Sequence, residues 1–348
     1  MSAADRRERL ATLLRERDAD AMYVGDLVNV RYLTGFTGSN GAVLVHADGT
    51  TVFFTDGRYQ DQAAVEVPGV ERVITRRILD EVRARTAGTL VAETHLLAVD
   101  AWEQLGRPGA AGRLVEGLRE TKDDDEIDAL RRACTVSTTA LEQLLAGPLL
   151  GRSERELARD LEWRMLEVGA EDKAFDTILA AGDHTSIPHH RPTERTVQEG
   201  DLLKIDFGAR VDGYHADCTR TVVVGAAADW QREIYAAVRA SQAAGVERLR
   251  DGVPVPEAHA AAVDSLEEAG WLHAFTTGLG HGVGLQIHED PFLGPGHPST
   301  LTRRTVLTME PGIYLPGRGG VRIEDTVLVT DSGPEVLTTT TKDLMEIA

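Results

Sequence analysis

The sequence predicts two domains, a smaller α/β domain followed by a larger α+β domain with an antiparallel sheet. The length of 348 residues is typical of about two domains. Helical and strand-like segments alternate in the first third of the chain, whereas they are grouped in pairs afterwards. A densely charged helical segment without Gly or Pro, residues 118–133, separates the two regions. We place the boundary near residue 120, which gives domains of residues 1–120 and 121–348.

The first domain begins with a helix, because residues 5–17 carry three leucines at helical spacing among charged residues. Residues 21–24 are apolar and predict a short buried strand. Two further apolar runs flank the Asp48-Gly49 pair, which is typical of a β-hairpin turn. Residues 58–67 return to a helical pattern, so this region mixes both element types.

The second domain begins with the 118–133 helix, whose first turn is acidic, as the helix dipole favours. Ser153 and Glu156 have the spacing of a capping box, and Gly169 is a stop signal for the helix that they begin. Strand-like runs and two more helices follow. We predict helices over residues 228–249 and 255–269, and strands within 174–181, 201–211, 214–225, 304–310 and 321–330.

Composition excludes several classes of function. The formal net charge of -19 argues against nucleic acid and anionic membranes as partners, because binding to phosphates depends on clustered Lys and Arg. Cys134 and Cys218 provide no disulfide framework. The charged N-terminus lacks the apolar region of a secretion signal, and no run of about 18 apolar residues predicts a membrane span. We therefore expect a cytoplasmic protein whose acidity provides solubility or ligands for metal cations.

Two aspartates lie on a predicted hairpin. Asp206 and Asp217 would lie directly opposite each other if the turn is Val211-Asp212, and diagonally if it is Asp212-Gly213. Both registers place the two carboxylates on one face of the sheet. Two carboxylates on a largely buried face repel each other, so a cation or a proton must resolve the conflict. The structural alternative is that one aspartate points to solvent at a strand end.

Two glutamates occur in comparable contexts. Glu310 ends an apolar strand just before Pro311-Gly312, and Glu324 lies inside the strand predicted over residues 321–330. Each has a structural alternative. Glu310 could be a plain strand end, and Glu324 could form a salt bridge with Arg322 or be a charge on an edge strand.

The segment "GLGHGVGLQIHEDP", residues 278–291, has glycine at four alternate positions, which leaves the backbone free to bend and to approach other groups. The spacing of a phosphate-binding loop and the helical HExxH motif are both absent. His281 and His288 are seven residues apart, so on a straight strand they would point to opposite faces. We expect at most one to bind metal directly, with the other further along the substrate.

Together these segments resemble the creatinase/prolidase/aminopeptidase P family of pita-bread metallopeptidases. Five stretches carry the resemblance in order: "IPHHRP", "LLKIDFGARVDGYHADCTRT", "GLGHGVGLQIHEDP", "TMEPGIY" and "GGVRIEDT". "VRYLTGFTGSNGAVLV" and "FTDGRY" resemble the N-terminal module of the family. The resemblance covers nearly the whole chain. It implies a pita-bread catalytic domain preceded by a smaller creatinase-like α/β domain, usually in a homodimer.

The resemblance also implies a site for two metal ions. Asp206 would hold one ion, His281 and Glu310 the other, and Asp217 and Glu324 would bridge both. Four carboxylates balance the charge of two divalent cations. One imidazole among oxygen ligands suits Mn²⁺, with Co²⁺ or Zn²⁺ depending on availability.

The implied reaction is hydrolysis of Xaa-Pro bonds in proline-containing peptides. Two metals sharing a water would generate a bridging hydroxide near neutral pH, which attacks the scissile carbonyl. Glu310 would move a proton to the leaving nitrogen, and Arg322 would brace the site or the substrate. His189 and His288 match the two non-ligand histidines of the family, which contact the substrate and the tetrahedral intermediate.

The sequence departs from the family pattern at three positions: His190 replaces a common Gly, Gln286 replaces a common Glu, and Phe292 stands where many prolidases have an arginine that clamps the dipeptide carboxylate. We therefore expect an Xaa-Pro aminopeptidase of the aminopeptidase P type, with an Xaa-Pro dipeptidase (prolidase) as the alternative. Arg58 or Arg31, from either subunit, could supply another clamp. A metal-free creatinase-like hydrolase or binding protein is less favoured, because either would be expected to have lost metal ligands.

Overall fold

The computed structural model of the protein describes residues 1–347, which form two compact units. The first unit comprises Met1–Arg119, and the second begins at Glu120. Within residues 1–347, no helix has both the length and the apolar composition needed to cross a membrane.

The first unit contains a six-stranded mixed sheet with helices between its strands. The strand order is β4-β3-β2-β1-β5-β6, with antiparallel pairing from β1 to β3 and parallel pairing elsewhere. The elements are α1 (Ala3–Glu16), β1 (Ala21–Val24), α2 (Leu27–Thr34), β2 (Ala42–His46), β3 (Thr51–Thr55), α3 (Gln60–Glu66), β4 (Glu71–Ile74), α4 (Ile78–Arg85), β5 (Leu90–Ala92), α5 (Val99–Gln104), β6 (Gly109–Ala110) and α6 (Leu114–Glu120).

The predictions for this unit are confirmed at the level of its elements. The first helix buries Leu10 and Leu14, the strand over residues 21–24 is wholly buried, and a hairpin turns at Asp48-Gly49. The first strands of the sheet therefore form from the apolar runs of the sequence, and the Asp48-Gly49 turn joins two of them.

The second unit is an α+β domain whose strands are almost all antiparallel. Its sheets have the orders β18-β12-β9-β8, β11-β10-β7, β13-β16-β17 and β14-β15, and among residues 120–347 only β12 and β18 pair in parallel. The elements are α7 (Asp124–Leu145), α8 (Glu154–Val168), β7 (Asp172–Lys173), β8 (Ile178–Ala181), β9 (Leu202–Phe207), β10 (Ala209–Val211), β11 (Tyr214–His215), β12 (Cys218–Val224), α9 (Asp229–Glu247), α10 (Val255–Glu268), β13 (Val306–Met309), β14 (Gly312–Leu315), β15 (Gly319–Arg322), β16 (Asp325–Thr330), β17 (Gly333–Val336) and β18 (Glu346–Ile347).

Helix α9 packs closely on strand β13. At Gly245 an added Cβ would lie 2.5 Å from the Sδ atom of Met309. Glycine in a helix interior costs about 1 kcal/mol relative to alanine, but here it allows the helix to approach the strand. The buried cluster around this contact includes Leu307 and Val327, and it supports the strand end that carries Glu310.

Four predicted elements are divided in the structure, including the strands predicted within residues 201–211 and 214–225, each of which contributes to two sheets. The helix predicted over residues 118–133 is interrupted, because Asp123 caps α7 and forms a capping box with Glu126. The strand predicted over residues 321–330 is interrupted at residues 323–324. It changes partner there, since β15 pairs with β14 and β16 pairs with β13.

Candidate active site

The two aspartates lie on the central hairpin in the diagonal register. The turn is Asp212-Gly213, and both residues have positive φ values of 49° and 78°, as a type I′ hairpin requires. Asp206 therefore pairs with Thr219, and Asp217 is its diagonal neighbour on the same face. Both side chains are buried.

The two glutamates meet at the end of a neighbouring ladder. Strand β13 pairs with β16 so that Met309 lies opposite Asp325. Glu310 and Glu324 are the next residues beyond this pair, so they lie side by side where the two strands end. Glu324 is almost fully buried, and its Oε2 atom accepts a hydrogen bond of 2.7 Å from the hydroxyl of Thr219.

The glycine-rich segment folds back on itself. Gly280 has a φ of 149°, and an added Cβ would lie 2.1 Å from the carbonyl oxygen of Thr308. Gly282 forms an antiparallel bridge with Glu289, which brings the rings of His281 and His288 to a centroid distance of 4.4 Å. The bend that the sequence required is therefore present, and both histidines reach one site.

His281 faces the carboxylates. Its Nε2 atom lies 3.6 Å from Oδ2 of Asp217 and 3.5 Å from Oε1 of Glu310. One ligand atom each of Asp217, His281 and Glu324 lies within 4.8 Å of the other two. Five side chains predicted as ligands thus converge from separate segments, although their assignment to particular ions remains a prediction.

The donor set fits divalent cations. His281 directs Nδ1 at the carbonyl oxygen of Gly282, at 3.1 Å. If Nδ1 carries the proton, Nε2 turns its lone pair towards the carboxylate oxygens of Asp217 and Glu310. The Oδ1 atom of Asp206 is buried and has no hydrogen-bond partner within residues 1–347. The lone pairs of the His281 Nε2 atom and of the carboxylate oxygens repel one another in the buried site, and a bound cation would stabilise this arrangement.

The carboxyl groups titrate abnormally in the metal-free site. Burial, with repulsion from the neighbouring carboxylates, raises the pKa of Asp217 and of Glu324 well above their ordinary values. Burial also raises the pKa of Glu310 to about 7, against the opposing effect of Arg322. Burial lowers the pKa of His281 to about 4, so the imidazole is neutral and able to act as a ligand.

Arg322 stabilises this cluster through hydrogen bonds from its guanidinium group. It is fully buried, and its guanidinium donates to Oδ2 of Asp206, to the hydroxyl of Thr219 at 3.1 Å and to the hydroxyl of Tyr314 at 2.8 Å. It also donates to the carbonyl oxygen of Pro188 at 3.3 Å, just before His189. Arg322 therefore links an expected ligand to the loop that carries an expected substrate contact.

All eight predicted site residues line one cavity of about 870 Å³. His189 and His288 are exposed on its wall. Phe292 is 46% exposed on the same wall, with its ring centroid 6.3 Å from that of His281. Arg58, considered as a carboxylate clamp, instead bonds to Asp56 of its own turn at 2.8 Å.

Three supporting residues were not predicted from the sequence. Thr219 bonds to Glu324, and its position two residues after Asp217 on one strand face was an available signal. Lys204 is buried and donates to the carbonyl oxygens of Thr185, Ile187 and Pro188. Glu154, fully buried at the start of α8, had no signal beyond its position beside the capping Ser153.

Glu154 forms a second group of possible metal ligands with His184 and His190. Its two oxygens, however, already accept hydrogen bonds from both histidines, from the amide of Ala181 and from Thr193. Burial would raise its pKa, but these hydrogen bonds lower it to about 2. This carboxylate is therefore satisfied by its loop and does not need a cation.

Comparison with known proteins agrees with the geometry. Residues 128–331 match metallopeptidase family M24, and residues 6–130 match the creatinase/prolidase N-terminal domain. The chain is 33% identical to an Xaa-Pro dipeptidase of Pyrococcus furiosus, over 98% of this chain and 99% of the relative. A solved Xaa-Pro dipeptidase from Bacillus anthracis has a TM-score of 0.95 and 36% identity, with 99% of this chain and 100% of that chain covered. A solved X-Pro aminopeptidase from Thermotoga maritima has a TM-score of 0.89 and 31% identity, with 98% and 99% covered. The chain therefore belongs to metallopeptidase family M24, with the pita-bread domain and the creatinase-like N-terminal domain that its motifs predict.

Proposed function

We propose that this protein is an Xaa-Pro dipeptidase that uses two divalent cations. The observation that carries the proposal is the likeness to Xaa-Pro dipeptidases over nearly the full length of both chains, at 33% and 36% identity. The aminopeptidase from Thermotoga maritima is less similar, at 31% identity and a TM-score of 0.89. The dipeptidase alternative therefore replaces the aminopeptidase as the favoured activity.

Phe292 is only one of the residues that determine the charge of the cavity. The missing arginine at that position removes one possible carboxylate clamp, but the wall of the cavity carries other cationic side chains. Arg155, Arg159, Lys173 and Arg191 all line it. A positive charge that binds a free carboxylate can come from any segment that reaches the same space, so a single position does not exclude dipeptides.

Different residues of the site would bind the cations and transfer the proton during hydrolysis. Asp206, Asp217, His281, Glu310 and Glu324 would hold the cations, which polarise a carbonyl and lower the pKa of water. Glu310 would also move a proton to the leaving nitrogen, because it lines the cavity beside the position expected for the metal-bound water.

The two exposed histidines and the buried arginine have different tasks. His189 and His288 line the cavity and can donate hydrogen bonds to the scissile carbonyl and to the oxyanion that forms from it. Arg322 keeps Asp206 and the His189 loop in place.

The test is a direct competition between Ala-Pro and Ala-Pro-Ala at low concentration. We expect the dipeptide to have a kcat/KM at least about tenfold higher, because a charge-assisted contact with its carboxylate contributes roughly 1.5–3 kcal/mol. Chelation should abolish activity, and Mn²⁺ should restore it. Equal or faster cleavage of the tripeptide would contradict the dipeptidase proposal.

The second candidate is Xaa-Pro aminopeptidase, and Phe292 is the observation that favours it. Its exposed ring beside His281 offers an apolar surface to a residue that follows proline. In that case the tripeptide would win the competition, and Phe292→Arg would shift preference towards the dipeptide.

We further propose that residues 1–120 and 121–348 are the two domains, that Mn²⁺ is the bound metal, and that the protein is a cytoplasmic homodimer. Family resemblance supports the metal and the dimer. Elemental analysis of the purified protein tests the metal, and a metal other than Mn²⁺ would contradict that proposal. Light scattering tests the dimer, and a monomeric mass would contradict it.

A further inference from the structure

A dipeptidase needs a cation near the scissile bond, and the basic residues of the cavity differ in whether they are already engaged. Arg155 pairs with Glu194, and Lys173 bonds to Glu162 at 3.2 Å and Asp176 at 3.0 Å. Arg322 is buried against Asp206 (see above). These three residues have carboxylate partners of their own.

Arg159 and Arg191 are the remaining cations of this wall. Within residues 1–347 neither makes an ion pair or a side-chain hydrogen bond, and both are exposed. The charge of Arg191 reaches Asp176, but that carboxylate is bonded to Lys173. Both arginines are therefore available to an anionic ligand.

The loop that carries Arg191 is held in place by one buried carboxylate. His190 is buried, and its Nε2 atom lies 2.8 Å from Oε2 of Glu154. The same carboxylate accepts hydrogen bonds from Ala181 and Thr193, on either side of His190. Its hydrogen bonds therefore tie both ends of the loop to the start of helix α8.

The contact of His190 with Glu154 fixes the backbone of the segment that carries His189 and Arg191. Pro192 biases Arg191 towards extended backbone, in which successive side chains lie on opposite sides. His189, His190 and Arg191 all line the cavity, but only His190 of the three is buried, with its Nε2 atom on Glu154, whereas His189 and Arg191 are exposed. The Glu154–His190 contact thus fixes the segment on which an expected substrate histidine and a free arginine are exposed to the cavity.

The spacing matches the substrate. In an Xaa-Pro dipeptide the carboxylate is attached to the carbon next to the scissile nitrogen. A clamp must therefore lie close to the groups that contact the scissile bond. Arg191 is two residues from His189, about 7 Å along an extended chain, which an arginine side chain can span. Its planar guanidinium can bind a carboxylate through two parallel hydrogen bonds.

We propose that Arg191 recognises the free carboxylate of the dipeptide, and that Glu154 and His190 position it. This inference rests on the proposed dipeptidase function and assigns its specificity to one side chain. Arg191 takes over the task of the arginine that Phe292 replaces, from a different segment of the chain. The loop anchor reduces the conformational freedom that is lost on binding.

The experiment compares Ala-Pro with Ala-Pro amide, which removes the negative charge and keeps the size. Wild-type protein should favour Ala-Pro by at least about tenfold in kcat/KM. In Arg191→Met this ratio should fall at least about tenfold, mainly because the KM for Ala-Pro rises. Arg191→Lys should keep part of the preference, since it retains the charge without the planar geometry.

Arg159→Met is the matched control, because it removes an equally exposed arginine from the same cavity. It should keep the wild-type ratio. The assignment of Arg191 would be overturned if Arg191→Met kept the wild-type ratio of kcat/KM for Ala-Pro to that for Ala-Pro amide, or if Arg159→Met lost the preference instead. Either result would leave the dipeptidase proposal intact. If wild-type protein itself cleaves the amide as well as the dipeptide, the dipeptidase proposal fails together with it.

Discussion

Replacing Asp217 with asparagine should stabilise the metal-free protein and destabilise the metal-loaded one. One oxygen of Asp217 lies within 4.8 Å of one of Glu324. At that distance two unit charges repel by roughly 3–4 kcal/mol for an effective dielectric constant of about 20. Asparagine has the same shape without the charge, so it removes this repulsion. With metal bound, the same change removes a charge that would attract the cations.

The size of the effect depends on pH. Because burial raises the pKa of Asp217 well above its ordinary value, protonation relieves the repulsion at low pH, and the full gain appears only when the carboxyl group is ionised. For a domain of this size 1 kcal/mol corresponds to about 2–4 °C in Tm. We expect the Tm of metal-free Asp217→Asn to rise by roughly 5–10 °C at a pH above the raised pKa of Asp217.

The assay is calorimetry of chelated and Mn²⁺-loaded protein, combined with elemental analysis and peptide hydrolysis. In the presence of Mn²⁺ the variant should lose stabilisation by metal, and its turnover should fall by about three orders of magnitude or more, since a metal site that loses a ligand charge no longer holds its ions in place.

The control is Asp212→Asn, the same substitution in the turn of the same hairpin. Asp212 is exposed and forms an ion pair with exposed Arg132, so the Tm and activity of Asp212→Asn should change little. Near-wild-type turnover of Asp217→Asn with both ions bound, or an unchanged Tm in the metal-free state, would refute the two-metal reasoning.

Three further outcomes are expected. His288→Ala should lose most of its kcat/KM and keep its metal content in elemental analysis, because His281 faces the carboxylates; the loss of one ion would show that the two histidine roles are reversed. The Tm of metal-free protein should fall as pH rises from about 5 to 8. The reason is that the pKa values of Glu310, Asp217 and Glu324 are raised, so the folded form holds protons that the unfolded form has released. These three carboxyl groups outnumber His281 and Lys204, whose lowered pKa values act in the opposite direction. Mn²⁺ should offset this fall, whereas acid should inactivate by protonating the ligands, and a flat Tm profile would contradict the assigned shifts. Arg220→Met should cost about 3–5 kcal/mol in urea unfolding, because it leaves the buried carboxylate of Asp325 without the arginine that bonds it at 2.7 Å. The exposed Arg303→Met should cost at most about 1 kcal/mol, and equal costs for the two variants would show that burial does not matter.

Much of the site could be predicted from local sequence. Asp206 and Asp217 share a face because strand side chains alternate, and this holds for either hairpin register. The glycines around His281 indicated a bend, because a backbone that comes within about 2 Å of where a side chain would lie tolerates no Cβ. These features depend on residues close together in the chain.

Other features depended on which distant segments meet. The hairpin register, left open by the sequence, follows from the positive φ values of Asp212 and Gly213. The break before Asp325 arises because the chain exchanges one strand partner for another, and each partner lies in a different sheet.

The same distinction between local and distant residues applies to the proposed dipeptide specificity. Phe292 was informative about one position, but the charge of a cavity is the sum of all side chains that reach it, and Arg191 comes from a loop about 100 residues earlier. Glu154 acts through hydrogen bonds to residues 27 to 39 positions away. Motifs could therefore identify the expected ligands, whereas electrostatic and hydrogen-bonding partners act through space and were determined only when the chain had folded.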